Sequence, residues 1–477
     1  MVANALTRFT VAFGFAVASA PVSAETLAEA MAAAYRYNPV LETGRSGVRA
    51  VDENVSIAHS GFRPVVSATG DLTWEKITTN GAPPGGVVVG PGGNVTTGGI
   101  NRQAGYGVSI SQPIFNGFQT VNQVRAAEAN VRGARELLRD TERNVLLQVA
   151  NAYVSVLTAQ EILKAQEQNL GRLQDEVRVS KQRVELTELT STDLAQAELR
   201  RAGALSSVAA TRAELAAARA SYLGVVGHEP INLRSPGVPA LPKSLGDAQA
   251  IAASENPLII SALYDEQAAR YIIDQIRGQL LPSVSVEGSY DEEFNSSGVE
   301  NQQNLLVAGR LTVPIYEGGQ VHAAVRQAKQ VHVGRLQTIE AVRSLVQRSV
   351  TTAWAQFDAS RTRVNLGQEQ VRVSRVALEG VRKEEGIGQR TLLDVLNAEQ
   401  DIVNSRVELL VAQRDYTITA FQVLGELGRL SAEQLSLQTL VYDPTVHYEE
   451  VRRQWFGIDI TYSDGTREHM DTAPRPE

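Results

Sequence analysis

Gln112-Pro113-Ile114-Phe115-Asn116-Gly117 returns as Val313-Pro314-Ile315-Tyr316-Glu317-Gly318, a step of 201 positions from Pro113 to Pro314. The same step carries Ala152-Tyr153 to Ala353-Trp354 and Thr192-Asp193-Leu194 to Leu393-Asp394-Val395. Upstream the step is 218: Tyr37-Asn38-Pro39 returns as Glu255-Asn256-Pro257, and Phe62-Arg63-Pro64-Val65-Val66-Ser67 as Leu280-Leu281-Pro282-Ser283-Val284-Ser285. The steps differ because the first copy holds about 17 more residues between Pro64 and Pro113, where a Gly/Pro-rich stretch runs from Gly81 to Gly99. Two copies of one long plan make a tandem duplication, with a period far beyond that of a solenoid.

Each copy carries two alternating segments. In the first, Val66, Ala68, Gly70, Leu72 and Trp74 alternate with Val65, Ser67, Thr69, Asp71 and Thr73, and Val108 and Ile110 with Ser109 and Ser111. In the second, Val284, Val286, Gly288 and Tyr290 alternate with Ser283, Ser285, Glu287, Ser289 and Asp291. Its partner segment sets Leu305, Val307, Gly309, Leu311 and Val313 against Asn304, Arg310 and Thr312. Period-two alternation predicts strand hairpins at about 62–115 and 282–315, each with one apolar face. An ordinary half-buried sheet would read the same way. Three details favour strands that cross a bilayer. The apolar face is about ten residues long, the span of a tilted membrane strand. The opposite face carries charges. Aromatics gather at the ends, Trp74, Tyr106 and Tyr290 towards one and Phe62, Phe115, Phe118 and Tyr316 towards the other, as interfacial girdles do. The polar linkers 78–103 and 292–303 read as exposed loops. Four strands cannot close a barrel, and an open edge in lipid leaves backbone groups unsatisfied at a cost of several kcal/mol each. The smallest closed barrels need about eight strands, so oligomerisation is expected, three chains supplying twelve.

Almost everything else reads as helix. Leu146, Val149, Tyr153, Val156, Leu157 and Leu163 form one apolar stripe at helical spacing, and Val346, Val350, Trp354, Phe357 and Val364 its counterpart. Uninterrupted runs over 119–187 and 320–388 would each be roughly 100 Å long at 1.5 Å per residue. Runs over 26–61, 193–226, 244–279 and 392–427 are about half that. Two short helices end to end therefore match one long one, which suggests a helical tube continuing the strands. A soluble coiled coil, or a periplasmic adaptor or scaffold without a pore, is the competing reading. An adaptor would have one helical hairpin, whereas this chain has two, each joined to strands of membrane type.

Residues 1–24 read as a secretory signal peptide: Arg8, an apolar core from Phe9 to Ala20, and Val22-Ser23-Ala24 for cleavage. That core is too short for a spanning helix, and no later segment is apolar enough. The chain has 45 basic and 53 acidic residues and no cysteine. Its acidic balance argues against nucleic acid as a partner. The lack of cysteine excludes Cys-ligated metals and leaves packing or oligomerisation to hold an exported chain together. His59, His228, His322, His332, His447 and His469 show no pair at metal-ligand spacing. No nucleophile elbow occurs, and no buried strand leads into the stretch 81–99 and no helix N-terminus follows it, as a phosphate loop would need. Neither an enzyme nor a cofactor is expected.

In order and spacing, the signal segment, the duplicated Asn-Pro, the strand hairpins, Pro-Ile-Phe/Tyr-x-Gly entering a long helix, and Gly388-Gln389-Arg390-Thr391-Leu392-Leu393-Asp394-Val395-Leu396-Asn397-Ala398 resemble the TolC-type outer membrane factor family. The resemblance runs from about Glu25 to Leu430. It implies a homotrimer: a twelve-stranded barrel in outer-membrane lipid, continued by a periplasmic α-helical barrel with an equatorial belt. It also implies docking to a periplasmic adaptor and an inner-membrane ABC or proton-driven transporter, in type I protein secretion and/or multidrug efflux. The expected layout is a first repeat at 25–229, a linker at 230–243, a second repeat at 244–430, and a C-terminal equatorial segment and tail at 431–477. The tail 443–477 matches nothing specific. Thr187 stands where the turn motif has Gly, and Asn397 where some members carry an aspartate that narrows the entrance.

The same resemblance puts Thr192, Asp193, Arg390 and Asp394 at the periplasmic entrance. Arg390 is expected to bond the facing Thr192–Asp193 turn. Asp193 and Asp394 have a plainer reading as helix caps, Asp193 with Gln196 as a capping box. The membrane-interface aromatics are Phe62, Trp74, Tyr106, Phe115, Tyr290 and Tyr316.

Overall fold

The computed structural model describes residues 24–80, 96–295, 302–461 and 467–468. All of the expected signal segment but Ala24, most of the Gly/Pro-rich insertion and the end of the tail lie outside the described residues. Strands β1 (Val65–Asn80), β2 (Thr96–Asn116), β3 (Ser283–Asn295) and β4 (Gln302–Thr312) form one antiparallel sheet in the order β1-β2-β3-β4. The register aligns the apolar positions across all four strands. Val66 faces Ile110, Ile110 faces Gly288 and Gly288 faces Val307; one step along, Ala68, Val108, Tyr290 and Leu305 form the next row. The opposite face lines up Thr69, Gly107, Asp291 and Asn304. Gly107 belongs there because a Cβ on it would meet the Asp291 carboxylate at 2.4 Å. The strands run further than expected. Residues 78–80, 96–103, 292–295 and 302–303, read as loop, continue the backbone ladder. Ladder hydrogen bonds do not require an apolar face, so the polar ends of these hairpins remain paired. The ladder between β2 and β3 shifts between Pro113 and Phe115, because Pro113 has no N–H to give.

The long helices are α3 (Gln119–Glu185) and α7 (Gln320–Gly386), 67 residues each. Their returning partners are α4 (Ser191–Val226) and α8 (Leu392–Glu426). The expected single helices over 26–61 and 244–279 are each broken in two: α1 (Leu27–Tyr37) and α2 (Pro39–Ser60), then α5 (Leu245–Glu255) and α6 (Pro257–Arg277). The break is the duplicated Asn-Pro. Proline at the first position of α2 and α6 cannot continue the preceding helix, but suits the start of a new one.

The asparagine does two jobs. Asn38 Oδ1 accepts from Val40 N at 2.9 Å, capping α2, while its Nδ2 donates to Val225 O, 3.0 Å away at the end of α4. Asn256 repeats this between Leu258 N (3.0 Å) and Glu426 O (2.9 Å). Each asparagine thus splices an upper helix onto a lower one, and α3 lies beside the stack of α2 on α4. In the second copy α7 lies beside α6 on α8.

The core sits at the level of the splices. Leu146, Val149, Tyr153 and Val156 of α3 pack with Met31 and Ala34 of α1, Tyr222 of α4 and Phe421 of α8. Leu430, Ala432 and Leu437 of the C-terminal segment close the same cluster. The Tyr153 hydroxyl shares its proton between Glu25 O (2.7 Å) and Arg234 O (2.6 Å) and accepts from Arg234 N (3.0 Å), tying the segment at Arg234 and the chain before α1 to α3. The tail is structured too. Helix α9 (Pro444–Arg453) packs along α2 and ends before a two-residue pairing of β5 (Ile460–Thr461) with β6 (Arg467–Glu468).

Candidate functional site

Helix α3 leaves the sheet at Gln119 and runs 67 residues, which puts its far turn about 100 Å from the strands. The turn 186–190 and its counterpart 387–391 are built alike. Thr187 N bonds Val184 O (3.0 Å) and Glu188 N bonds Arg183 O (2.8 Å); Gly388 N bonds Glu385 O (2.9 Å) and Gln389 N bonds Glu384 O (2.8 Å). Both are Schellman endings, which place the residue after the cap in the left-handed region. Gly388 takes φ 78°, and Thr187 is forced to φ 61° although its branched Cβ disfavours it.

The new helices start on threonine. Thr190 and Thr391 are the N-caps, with Asp193 and Asp394 at the third helical position. Asp193 Oδ2 accepts from Thr190 N (3.1 Å) and Oγ1 (2.7 Å), and Asp394 Oδ2 from Thr391 N (3.0 Å) and Oγ1 (2.9 Å). The capping box is therefore Thr190 with Asp193, one turn earlier than the expected Asp193–Gln196 pair. The Thr391 hydrogen bonds, backbone first, hold the Asp394 carboxyl below its ordinary pKa, with Arg390 adding a smaller push. Thr192 is exposed at the start of α4.

Arg390 does not reach the Thr192–Asp193 turn within one chain. Its Nε donates to Glu384 Oε2 at 3.0 Å, across its own turn. The bond between the two hairpins comes instead from Arg183, whose Nη1 meets Glu385 Oε1 at 3.1 Å. Higher up, Arg200 donates to Asn397 Oδ1 at 2.6 Å, and Arg382 pairs with Glu399. Burial, with Glu399 nearby, raises the Glu176 pKa. Leu392 and Leu396 of α8 pack between Leu173 and Val177 of α3 and Ala197 and Ala204 of α4, so apolar contact also joins the hairpins. Sequence reading missed Arg183 and Arg200. A usable signal existed: Arg183 in the first copy stands where the second has Glu384, so equivalent positions carry opposite charge.

A second functional feature is the pair of open sides. β1 and β4 are the sheet edges, and Leu72, Val307 and Leu311 on its apolar face are exposed. At the sheet end near the helices, Phe115 packs edge-on to Phe118, with ring centres 5.1 Å apart. Phe62 and Tyr316 are exposed at that end. At the other end Tyr106 sits between Tyr290 (6.5 Å) and Phe294 (6.1 Å), the latter a member the sequence reading did not include, and Trp74 is exposed two same-face rows beyond Tyr106. Val66 to Trp74 is eight residue steps, about 26 Å of strand, which at a barrel tilt of about 40° spans roughly 20 Å of an apolar band about 25 Å tall. Below, a Cβ on Gly117 would lie 2.1 Å from Gly278 O, whereas nothing stands within 4 Å of its counterpart Gly318. The second copy thus lacks the neighbour that the first copy has.

Among the described residues no helix is long and apolar enough to cross a membrane, and no cluster of His, Asp and Glu could hold a metal. Solved structures of outer-membrane channels share the fold. The Campylobacter jejuni CmeC channel superposes with a TM-score of 0.70 at 16% identity, covering 90% of this chain and 89% of that one. The open state of the Neisseria gonorrhoeae MtrE channel gives 0.68 at 18%, covering 84% and 88%. The family model described as outer membrane efflux protein matches residues 31–224 and 250–429, one segment in each half of the duplication. Outer membrane efflux protein BepC of Brucella suis is 34% identical over 439 residues, 91% of this chain and 92% of the relative. Alkaline protease secretion protein AprF of Pseudomonas aeruginosa is 26% identical, over 69% of this chain and 70% of its own length. The chain belongs to the outer membrane efflux protein family. It is an outer-membrane protein of a class of channels, not enzymes.

Proposed function

We propose that three copies of this chain close into one channel-tunnel. The four-stranded sheets would complete a twelve-stranded barrel in the outer membrane, and the helices a periplasmic tube. The observation that carries this reading is the matched set of open sides. One chain leaves the outer edges of β1 and β4 without a partner and an apolar sheet face exposed, and no atom stands within 4 Å of a Cβ placed on Gly318. In lipid an open edge is untenable. By the internal repeat, the partner for Gly318 is the end of a neighbouring α2 at Ser60, as Gly278 at the end of α6 serves Gly117. Cross-linking of detergent-extracted protein should give a ladder that stops at three subunits. A folded, monodisperse monomer in buffer without detergent would overturn the reading.

The channel takes cargo from an inner-membrane transporter, ABC or proton-driven, through a periplasmic adaptor. It serves type I protein secretion and/or multidrug efflux. Relatives named for efflux and for protease secretion support both. The entrance is the ring of turns at 186–190 and 387–391. There Arg183–Glu385 and the apolar contacts of Leu392 and Leu396 hold the inner hairpin to its neighbour, and Arg390 reaches the Thr192–Asp193 turn of the next subunit. Repeated threefold, Asp193 and Asp394 give the mouth a cation-favouring rim.

A further inference from the structure

The tail has no assigned role, yet it has a definite course. Arg135 of α3 donates to Pro444 O at 3.2 Å, and four residues on Tyr448 donates to Glu128 at 3.3 Å, nearer the sheet. On the other flank His447 meets the fully buried Asp52 of α2 at 3.2 Å. The Arg63 guanidinium then lies over the Trp455 ring, 4.9 Å from its centre. Helix α9 therefore climbs towards the strands and delivers the residues after it to the level of Phe62 and Arg63, just before β1 begins at Val65. There Trp455 is 59% and Phe456 87% exposed, with Ile458 also exposed. Arg452 and Arg453 end α9 directly beneath them, both exposed, Arg453 only 3.7 Å-paired to Glu449.

An indole, a phenyl ring and an isoleucine held in water would be an unfavourable arrangement. Aromatic side chains with cations beside them are instead the composition of a bilayer interface, where ring and guanidinium both find partners. We infer that the segment 455–460 is a lipid anchor, seating Trp455 and Phe456 in the periplasmic-side headgroup layer of the outer membrane with Arg452 and Arg453 towards its phosphates. The argument for lipid is continuity with Phe62, Phe118 and Tyr316, the aromatics at the near end of the strands. It rests on the strands being the membrane-spanning part. Such an anchor would fix the height and tilt of the tube from outside, without taking part in the barrel.

The chain has three tryptophans, Trp74, Trp354 and Trp455, which makes the test direct. Full-length protein carrying Trp74→Phe and Trp354→Phe leaves Trp455 alone, and Trp354→Phe with Trp455→Phe leaves Trp74 alone. Both are reconstituted into phosphatidylethanolamine–phosphatidylglycerol vesicles with acyl-brominated lipid, and separately exposed to iodide. Trp455 should emit at shorter wavelength than in water and lose most of its emission to the brominated lipid, but little to iodide. Quenching by iodide alone would show a tail in water and overturn the inference. Protection from both quenchers would show it covered by protein, and would overturn it equally. Trp74 separates the two readings. If brominated lipid quenches Trp74 but not Trp455, the strands span the membrane and only the anchor fails. If it quenches neither, the spanning assignment fails and takes the anchor with it. Should the double variants not assemble, Trp74→Phe and Trp455→Phe made singly give the two signals, because both keep the same Trp354 background within the helical wall.

Discussion

Helices α3 and α7 have the same length and the same place in the two copies, yet they meet different surroundings. Twenty-two residues of α3 are buried and only 9 of α7, although both have 67 residues. α3 is flanked on one side by α2 on α4 and on the other by α6 and α8, whereas α7 packs mainly against its own copy's α5, α6 and α8 and meets α3 near its far end through Glu385. Leu366 and Val376 of α7 stand exposed, as do Tyr37, Val40 and Ile57 on the α1–α2 side at the far edge. The difference lies in position, since the two helices share one plan: α3 is interior to the chain, and α7 is a boundary. Apolar residues kept at such a boundary support the proposed assembly, in which a neighbouring subunit would cover them.

The sharpest way to break this comparison is at Tyr153 and Trp354, equivalent positions in the two copies. Tyr153→Ala should destabilise the chain by about 3–5 kcal/mol, since a fully buried aromatic leaves a cavity and strands Glu25 and Arg234. Trp354→Ala should cost less in thermal unfolding and show its loss as easier dissociation of the assembly. Equal, concentration-independent losses would erase the contrast between interior and boundary.

The sheet offers the next test. Leu72→Arg or Leu311→Arg should lower membrane assembly by about 2–4 kcal/mol near the bilayer centre, whereas Thr73→Arg or Thr312→Arg should be milder. Refolding into lipid vesicles measures it, and a reversed order would mean the lumenal and lipid faces are exchanged. The turns differ more gently. Thr187→Gly should stabilise by about 1 kcal/mol, because it removes a branched side chain from the left-handed region. Gly388→Ala should cost a similar amount; guanidinium melts of both would show whether the two endings carry the same strain.

The smallest energies carry the functional contrast. Arg390→Ser, Asp193→Ala or Arg183→Ala removes an interaction of about 0.5–1 kcal/mol per subunit, and each should raise single-channel conductance in planar bilayers. Asp394→Ala should weaken block by divalent cations. A fall in melting temperature with conductance unchanged would leave the aspartates as helix caps alone and the arginines as structural ion pairs.

The duplication, the strand faces and both long helices could be read from residues whose pattern is local: alternation at Val66 to Trp74, and helical spacing at Leu146 to Leu163. The far ends of the strands could not, since residues 96–103 pair by backbone and carry no alternation. The Asn-Pro repeat was visible, but not its meaning, because Asn38 finds Val225 across 187 positions. At the entrance the aspartates were legible as caps and misplaced by one turn, since the threonine before each was passed over. Arg183–Glu385 depends on how two hairpins lean together, which no local pattern encodes.

The two asparagine splices have a mechanical consequence. α3 and α7 cross the middle of the molecule unbroken, while the helices beside them are joined there by side-chain hydrogen bonds at Asn38 and Asn256 and by the Glu255–Arg429 ion pair. A wall of alternately whole and jointed staves resists lengthwise bending, but lets the lower half of each jointed stave swing about a fixed level. A motion at the far turns that pivoted at the two asparagines would leave every helix coiled and the strands undisturbed.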